Sequence, residues 1–322
     1  MRVVVTGAGG FIGGAVARQM RARGDDVVAI VRDPARASDL GNVGVELRAG
    51  DLSDVDQLVA GLTGADALVH MAGSYRVGIR PSERPAMLEA NVGTTTRVLD
   101  AAASVGTPRI VYTSTVNVLG NTHGQVVDES HLRDLGEGFL SYYDQTKFQA
   151  HELVAARIAG GAPIVIAMPG GVYGPGDHSE AGGQLALAHA GKLRYIALGE
   201  IGLSWSYIDD VADGIVRIVD HGRLGEPYIL CGPSLVLRDA VVAAAIAGRK
   251  HPPRLALPTG LLRLFIPVSR RFGAVGGLPA NLAETIRAAD GVTYWASAAK
   301  AERELGFRAR NLESGLRATF GP

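Results

Sequence analysis

The sequence predicts an α/β fold in which a doubly wound parallel sheet carries a smaller C-terminal lobe. Three observations predict it. Short, continuous apolar runs alternate with helical stretches through the first half of the chain, the pattern of strands buried on both faces by crossover helices. A glycine-rich turn separates the first apolar run from the first helix. Beyond about residue 169 the alternation gives way to Gly- and Pro-rich loop and shorter elements.

The elements follow in order. Residues 3–5 form an apolar run, and a helical stretch continues to about Arg23, where Gly24 breaks it. Runs at 27–31, 45–48, 67–71, 110–113 and 164–167 continue the series, with helices predicted over 55–62, 86–103 and 142–158. Right-handed crossovers then give a doubly wound sheet. The segment PGGVYGPGD from Pro169 reads as loop. A helix is predicted from near Asp209, opened by Asp209 and Asp210 as capping residues, and a strand over 228–230. Ser297 is placed to cap a last helix that Gly306 ends. The expected division is residues 1–170, with about 206–232 returning to the main sheet, against a substrate-binding lobe of 171–205 and 233–322.

Composition removes several classes of function. The 322 residues are 47% hydrophobic, which argues against disorder. Lys+Arg and Asp+Glu both number 32, so there is no basic excess for nucleic acid. The single Cys231 forms no internal disulfide, and the chain shows neither a secretion signal nor a membrane-length apolar stretch. A cytoplasmic protein with a small-molecule substrate, and with no nucleic-acid or membrane partner, is expected. The eight His residues show no metal-site spacing. GLLRLFIPV from Gly260, followed by Arg270 and Arg271, has the make-up of a membrane-surface helix. A core-facing or lid helix is the preferred reading, because apolar helical faces are usually core.

Thr6 is followed by Gly7, Gly10 and Gly13, spaced three apart between strand and helix. The first glycine permits a sharp turn, the second lets the backbone approach a pyrophosphate, and the third lets helix and strand pack closely. The helix N-terminus offers unpaired N–H groups to the phosphates. The second strand ends in Val31-Arg32-Asp33-Pro34. NAD sites usually place a carboxylate at this tip, whereas a guanidinium pairs with the 2′-phosphate of NADP. Arg32, helped by Arg36, therefore points to NADP. Asp33 keeps NAD open, or simply caps the turn before Pro34. Asp51, before Leu52, either receives the adenine amino group or caps the next helix.

Tyr143 and Lys147 lie four residues apart on a helical stretch, hence on one face. A neighbouring ammonium lowers a phenol from its ordinary pKa of about 10 towards the range where it exchanges protons. Tyr143 is thus the candidate general acid or base, and Lys147 the candidate partner of both the phenol and the nicotinamide ribose. The strand ending Thr113-Ser114-Thr115 offers a hydroxyl to a substrate oxygen, with Thr115 preferred over Ser114. His70, at a strand end, reads as structural.

These residues, with TGAGGFIG from Thr6, GDLSD from Gly50, VHMAG from Val69, NVGTT from Asn91, YTST from Tyr112, the Tyr143/Lys147 pair and PGGVYGPGD, resemble the extended short-chain dehydrogenase/reductase superfamily over essentially the whole chain. The resemblance implies a Rossmann-type domain, a bound nicotinamide cofactor, hydride transfer and a homodimer. It places Phe11 and Ile12 at the pyrophosphate and Met71, Ala72 and Gly73 along the cofactor. Asn91 supports the cofactor, Ser114 lies beside it, and Pro169 and Val172 pack near the nicotinamide. Val116-Asn117 replace the Asp-Glu pair usual in nucleotide-sugar dehydratases. Gly170-Gly171 and Met168 replace the Asn and Arg common in the epimerases. The closest resemblance is to dihydroflavonol-reductase-like enzymes, NADP-dependent reductases of hydrophobic ketones or aldehydes. A nucleotide-sugar epimerase is the alternative, and an NADP-sensing protein without catalysis a third. Ser74, Tyr75, Tyr142, Tyr173 and Trp205 are candidate substrate-pocket residues.

Overall fold

The computed structural model describes residues 1–272 and 279–321, with Arg270, Arg271 and Phe272 in backbone only. In chain order the strands are β1 Arg2–Thr6, β2 Asp26–Val31, β3 Glu46–Ala49, β4 Ala67–His70, β5 Ile110–Thr113, β6 Ile164–Pro169, β7 Gly171–Tyr173, β8 Tyr195–Ala197, β9 Gly202–Tyr207, β10 Pro227–Leu230, β11 Ser234–Val236, β12 Leu255–Leu257 and β13 Thr293–Tyr294. Seven of them form one sheet in the order β10-β6-β5-β4-β1-β2-β3. Every pair in it is parallel. Its inner strands are buried along their length, as a sheet covered on both faces requires. The strand order reverses between β1 and β4, the crevice where doubly wound folds bind ligands. β10 supplies the edge strand, and the preceding helix Ile208–His221 packs on the first helix, Phe11–Ala22.

The lobe is built on a second sheet, β11-β9-β13, which β7 joins through β9. The PGGVYGPGD segment is therefore not loop throughout: Gly171–Tyr173 is a strand in register with Trp205–Tyr207. Local composition could not show this, because the partner lies more than thirty residues away in sequence.

Three other local expectations are corrected. The helix expected over 86–103 is interrupted by a π turn, Glu89–Gly93, between Arg84–Leu88 and Thr94–Ser104. The hydroxyls of Thr95 and Thr96 donate back to the carbonyls of Asn91 and Val92 at 2.7 and 2.9 Å, so the wide turn keeps those groups satisfied. Asp210 does not cap its helix. Its carboxylate takes a bidentate pair from Arg310, with Arg310 Nη2 at 2.7 Å, and ties the C-terminal segment to the main domain. GLLRLFIPV is not simply core-facing. Leu262 packs with Leu282 and Ile286, while Leu261, Leu264, Phe265 and Val268 are exposed; the side chains of Arg270 and Arg271 lie outside the described residues.

Candidate active site

The chain leaves β1 at Gly7 with φ +80°, in the left-handed region that glycine adopts without steric cost. A Cβ at Gly7 would lie 2.6 Å from the Ala72 amide nitrogen, and one at Gly13 would lie 2.1 Å from the Gly7 carbonyl. These two glycines let the turn rest on the loop after β4 and let the helix rest on the turn. A Cβ at Gly10 would meet only the Gly7 carbonyl, at 3.2 Å, so this position faces a groove. The amides of Phe11, Ile12 and Gly13 open the helix and find no acceptor among the described residues. Three donors and the positive helix end thus face an open cradle, which fits the pyrophosphate of a dinucleotide. Phe11 reaches towards Gly176 in the loop after β7.

At the next strand tip Arg32 is exposed and makes no ion pair among the described residues. Asp33 accepts from the Ala35 amide at 3.0 Å and caps the turn Pro34–Ala37, while Arg36 lies 3.5 Å from Asp33. Asp33 is therefore engaged locally, and Arg32 is the side chain left to face a ribose substituent. Asp51 sits beside this tip, where Gly50 donates to the Val31 carbonyl at 3.0 Å. Asp54, not Asp51, caps the helix Val55–Leu62. Asp51 instead accepts from the Ser53 amide at 2.9 Å, which holds its carboxyl below the usual range. Leu52 packs against the main core.

The loop after β4 is held from two sides. The Met71 amide donates to the Thr6 carbonyl at 3.1 Å, and Ala72 abuts Gly7. Asn91, buried in the π turn, accepts from the Ser74 amide at 2.7 Å and donates to Ser74 O and Thr146 Oγ1. One side chain thereby joins the loop at Gly73 and Ser74 to the helix Tyr142–Ala159, which carries Tyr143 and Lys147. His70 is fully buried between Thr6 Oγ1, 2.7 Å away, and Thr95 Oγ1, 3.1 Å away. Burial, then the charge of Lys147, pushes its pKa down to about 3, so it is a neutral structural residue.

Ser141 caps the Tyr142–Ala159 helix by accepting from the Asp144 amide. Tyr143 is buried with Ile79 and Met87 in a small cluster apart from the main core, flanked by Val77 and Tyr142. The Tyr75 ring meets Tyr143 edge-on at 4.8 Å. Burial pushes the Tyr143 phenol up, and the neighbouring Thr115 hydroxyl opposes that rise. Lys147 Nζ donates to Thr113 O at 3.0 Å and to Tyr112 Oη at 3.4 Å; burial brings it down to about 8. The ammonium is anchored to the end of β5, and burial dominates at the phenol.

The two hydroxyls that follow β5 point apart. Ser114 Oγ pairs with His151 Nδ1 at 2.9 Å, whereas Thr115 caps the turn Val116–Leu119 and lies against Tyr143. His151 is neutral at physiological pH, because burial and then Lys147 push it down to about 4. Of the substrate-pocket candidates, Tyr75 and Tyr142 lie against Tyr143, and Ser74 is held by Asn91. Tyr173 and Trp205 do neither. They are buried edge-to-face with each other in the main core, and Trp205 Nε1 donates to Leu235 O at 3.1 Å. Pro169 ends β6, and Val172 packs at the edge of the core.

Sequence reasoning missed Thr146, His151 and Glu284. Thr146 and His151 share the helix of Tyr143, but their partners lie 55 and 37 residues away, so no local spacing marks them. Glu284, from the lobe helix Leu282–Arg287, accepts from the Tyr142 amide at 2.6 Å and so caps the start of the same helix.

The chain resembles known proteins along its length. Residues 3–231 match the model of the NAD dependent epimerase/dehydratase family. A Synechocystis sp. protein provisionally named dihydroflavonol 4-reductase is 28% identical, covering 97% of this chain and 91% of its own. The 2-alkyl-3-oxoalkanoate reductase of Stenotrophomonas maltophilia is 32% identical over 66% of this chain and 63% of its own. The crystal structure of gox2253 superposes with a TM-score of 0.84 at 30% identity, covering 98% of this chain and 96% of that one.

Proposed function

Because the chain belongs to the NAD dependent epimerase/dehydratase family, a family of NAD(P)-dependent enzymes, we propose that it is an NADP-dependent reductase of a small hydrophobic ketone or aldehyde, or the dehydrogenase of the matching alcohol. The observation that carries the reading is the set around Tyr143. A proton-carrying phenol lies beside the Thr115 hydroxyl, with Lys147 held at the end of β5 and Val77, Ile79, Met87 and Tyr142 as an apolar wall. Thr115 and Tyr143 would hold a carbonyl oxygen between their hydroxyls. Reduction adds a hydride, supplied by the nicotinamide when bound, to the carbonyl carbon, and Tyr143 gives its proton to the oxygen. Lys147 would hold the nicotinamide ribose, and Gly10, Phe11, Ile12 and Gly13 the pyrophosphate.

The substrate end supports a ligand without a diphosphate. Gly170 is uninformative on this point, because a Cβ there would lie 2.2 Å from Ser204 O; packing against β9 requires glycine. Gly171 is closed by packing in the same way, since a Cβ there would meet Leu203 at 3.3 Å; the reading rests on Met168, which is buried in β6 and offers a diphosphate no charge. Two relatives also bear the names of reductases. The test is NADPH oxidation against a panel of 3-oxoalkanoate esters and aryl ketones, with calorimetry of UDP- and GDP-sugars alongside. Turnover of an apolar ketone is expected; micromolar binding of a nucleotide sugar would overturn the reading in favour of an epimerase.

NADPH is expected to bind more tightly than NADH, because Arg32 is exposed without an ion-pair partner among the described residues while Asp33 is held in its turn. Arg32→Asp should reverse the preference by removing a phosphate partner and adding repulsion. Calorimetry showing that the wild type prefers NADH would sink the assignment.

Lys147 adds a pH dependence. Its pKa of about 8 means that it carries its charge below that value and loses it above. Cofactor affinity should hold steady up to about pH 8 and then fall. In Lys147→Met the affinity should be weaker and lack that step. Fluorescence titration from pH 6 to 10 checks this, and a wild-type affinity flat to pH 10 contradicts it.

A further inference from the structure

The lobe carries a surface that neither the proposed site nor the core uses. The two short helices Thr259–Arg263 and Ile266–Phe272 run nearly end to end. Leu262, Ile266 and Ser269 face inward: Leu262 and Ile266 pack with Leu282 and Ile286, and Ser269 Oγ accepts from the Leu282 amide. Leu261, Leu264, Phe265 and Val268 follow the spacing i, i+3, i+4, i+7 on the other side and are 45%, 71%, 45% and 41% exposed. A helix apolar on both faces is ordinarily buried on both. Here one face is packed and the other meets water. The two-stranded ladder of β8 and β12 leads into this segment. Its register sets Leu255 beside Tyr195, and these two are 56% and 46% exposed.

Arg263, between Leu262 and Leu264, is paired with Asp290 at 2.9 Å, but the unpaired charges of the neighbouring sequence have one sign. Residues 181–199 and 240–283 contain no Asp or Glu, although the whole chain balances 32 basic against 32 acidic residues. Lys192, Arg194, Arg249, Lys250 and Arg254 are exposed there and make no ion pair among the described residues. Arg194 and Arg254 each directly precede the paired positions Tyr195 and Leu255. Lys250 packs against Gly191, which brings the two acid-free segments together.

We propose that this face docks on the surface of an anionic lipid bilayer, with Leu261, Leu264, Phe265 and Val268 entering the headgroup region and the Lys and Arg side chains meeting lipid phosphates. Apolar side chains bordered by unpaired basic ones are the make-up of an interfacial, non-spanning contact. Among the described residues no helix is long and apolar enough to cross a membrane. A second copy of the chain fits the face less well, because a two-fold contact would set the same basic fringe against itself. The docked face is also continuous with the proposed site. Leu262 packs on the helix Leu282–Arg287, whose Glu284 caps the helix of Tyr143. An apolar substrate dissolved in a bilayer would then be taken up where the lobe touches it. The docking itself does not depend on the proposed reaction.

The experiment is flotation of the full chain with liposomes of phosphatidylcholine alone or with about 30% phosphatidylglycerol, in low and high salt. Binding is expected only to the anionic vesicles, weakening as salt screens the basic fringe. Leu264→Glu/Phe265→Glu should reduce the bound fraction at least tenfold, and Lys250→Glu/Arg254→Glu should reduce it independently. Both double variants should keep the wild-type far-ultraviolet circular dichroism, since all four positions are exposed. Absence of wild-type binding to anionic vesicles overturns the proposal. So does binding that both folded variants retain. A dimer in light scattering that Leu264→Glu/Phe265→Glu dissolves, without vesicle binding by the wild type, assigns the face to self-association instead.

Discussion

Tyr143→Phe is expected to lower turnover by about 10²–10⁴-fold, the usual cost of losing a positioned proton donor, while leaving cofactor affinity and stability close to wild type. The change removes only the hydroxyl. The ring keeps its place with Ile79 and Met87 and its edge contact with Tyr75, and no hydrogen bond that holds the backbone runs through the phenol oxygen among the described residues. Lys147→Met should behave differently and reduce both turnover and cofactor affinity, because the ammonium is proposed to serve the ribose while also tying the helix to Thr113 O. Thr115→Ala should slow turnover with less effect on binding. Ser114→Ala should slow it less than Thr115→Ala, since Ser114 is turned to His151. Single-turnover hydride transfer with a substrate found in the ketone panel, and cofactor titration alongside, separate these outcomes. A Tyr143→Phe enzyme with wild-type hydride transfer would remove Tyr143 from the chemistry.

The sheet was legible in the sequence because its strands are buried on both faces and therefore continuous in apolar character, and because crossover helices separate them at regular intervals. The glycine turn was legible because Gly7 and Gly13 answer to close backbone approaches that only glycine allows, while Gly10 faces the groove. What could not be read were contacts whose partners are remote in the chain. The NVGTT motif singles out Asn91 as a support of the cofactor, but not the bonds to Ser74 and Thr146 that it makes from the π turn. Tyr173 and Trp205 are candidate pocket aromatics in the sequence, whereas the pairing of β7 with β9 buries them. Gly170 read as a missing ligand contact, yet the approach of Ser204 O explains it fully. The lysine illustrates the remaining gap. Spacing of four residues places Tyr143 and Lys147 on one face, but it does not say that the ammonium will find a strand-end carbonyl first.

Arg133→Met is expected to be the most destabilising single change near the site. Arg133 and Asp144 form a nearly fully buried pair, with Nη1–Oδ1 at 2.5 Å and Nη2–Oδ2 at 2.6 Å. The guanidinium also donates to the carbonyls of Asn117 and Gly138 and lies over the rings of Phe139 and Phe148. One side chain thus brackets the Thr115 turn, through Asn117, and the helix of Tyr143, through the adjacent Asp144. Removing it strands a buried carboxylate with the Leu140 amide as a remaining partner. Breaking such a pair from one side typically costs about 3–5 kcal/mol. Replacing both partners with apolar groups is far less costly, because no charge is left buried. Arg133→Met/Asp144→Leu should therefore recover most of the stability lost in either single variant, a coupling that a double-mutant cycle in urea measures directly. Turnover need not follow stability. The double variant folds without the bracket between Asn117 and Asp144, so its kcat should stay depressed even where its urea midpoint returns. A double variant as unstable as the worse single one would show that the cost lies in lost packing on Phe139 and Phe148 rather than in the unpaired charge. One with wild-type kcat would show that the bracket has no part in setting Thr115 against Tyr143.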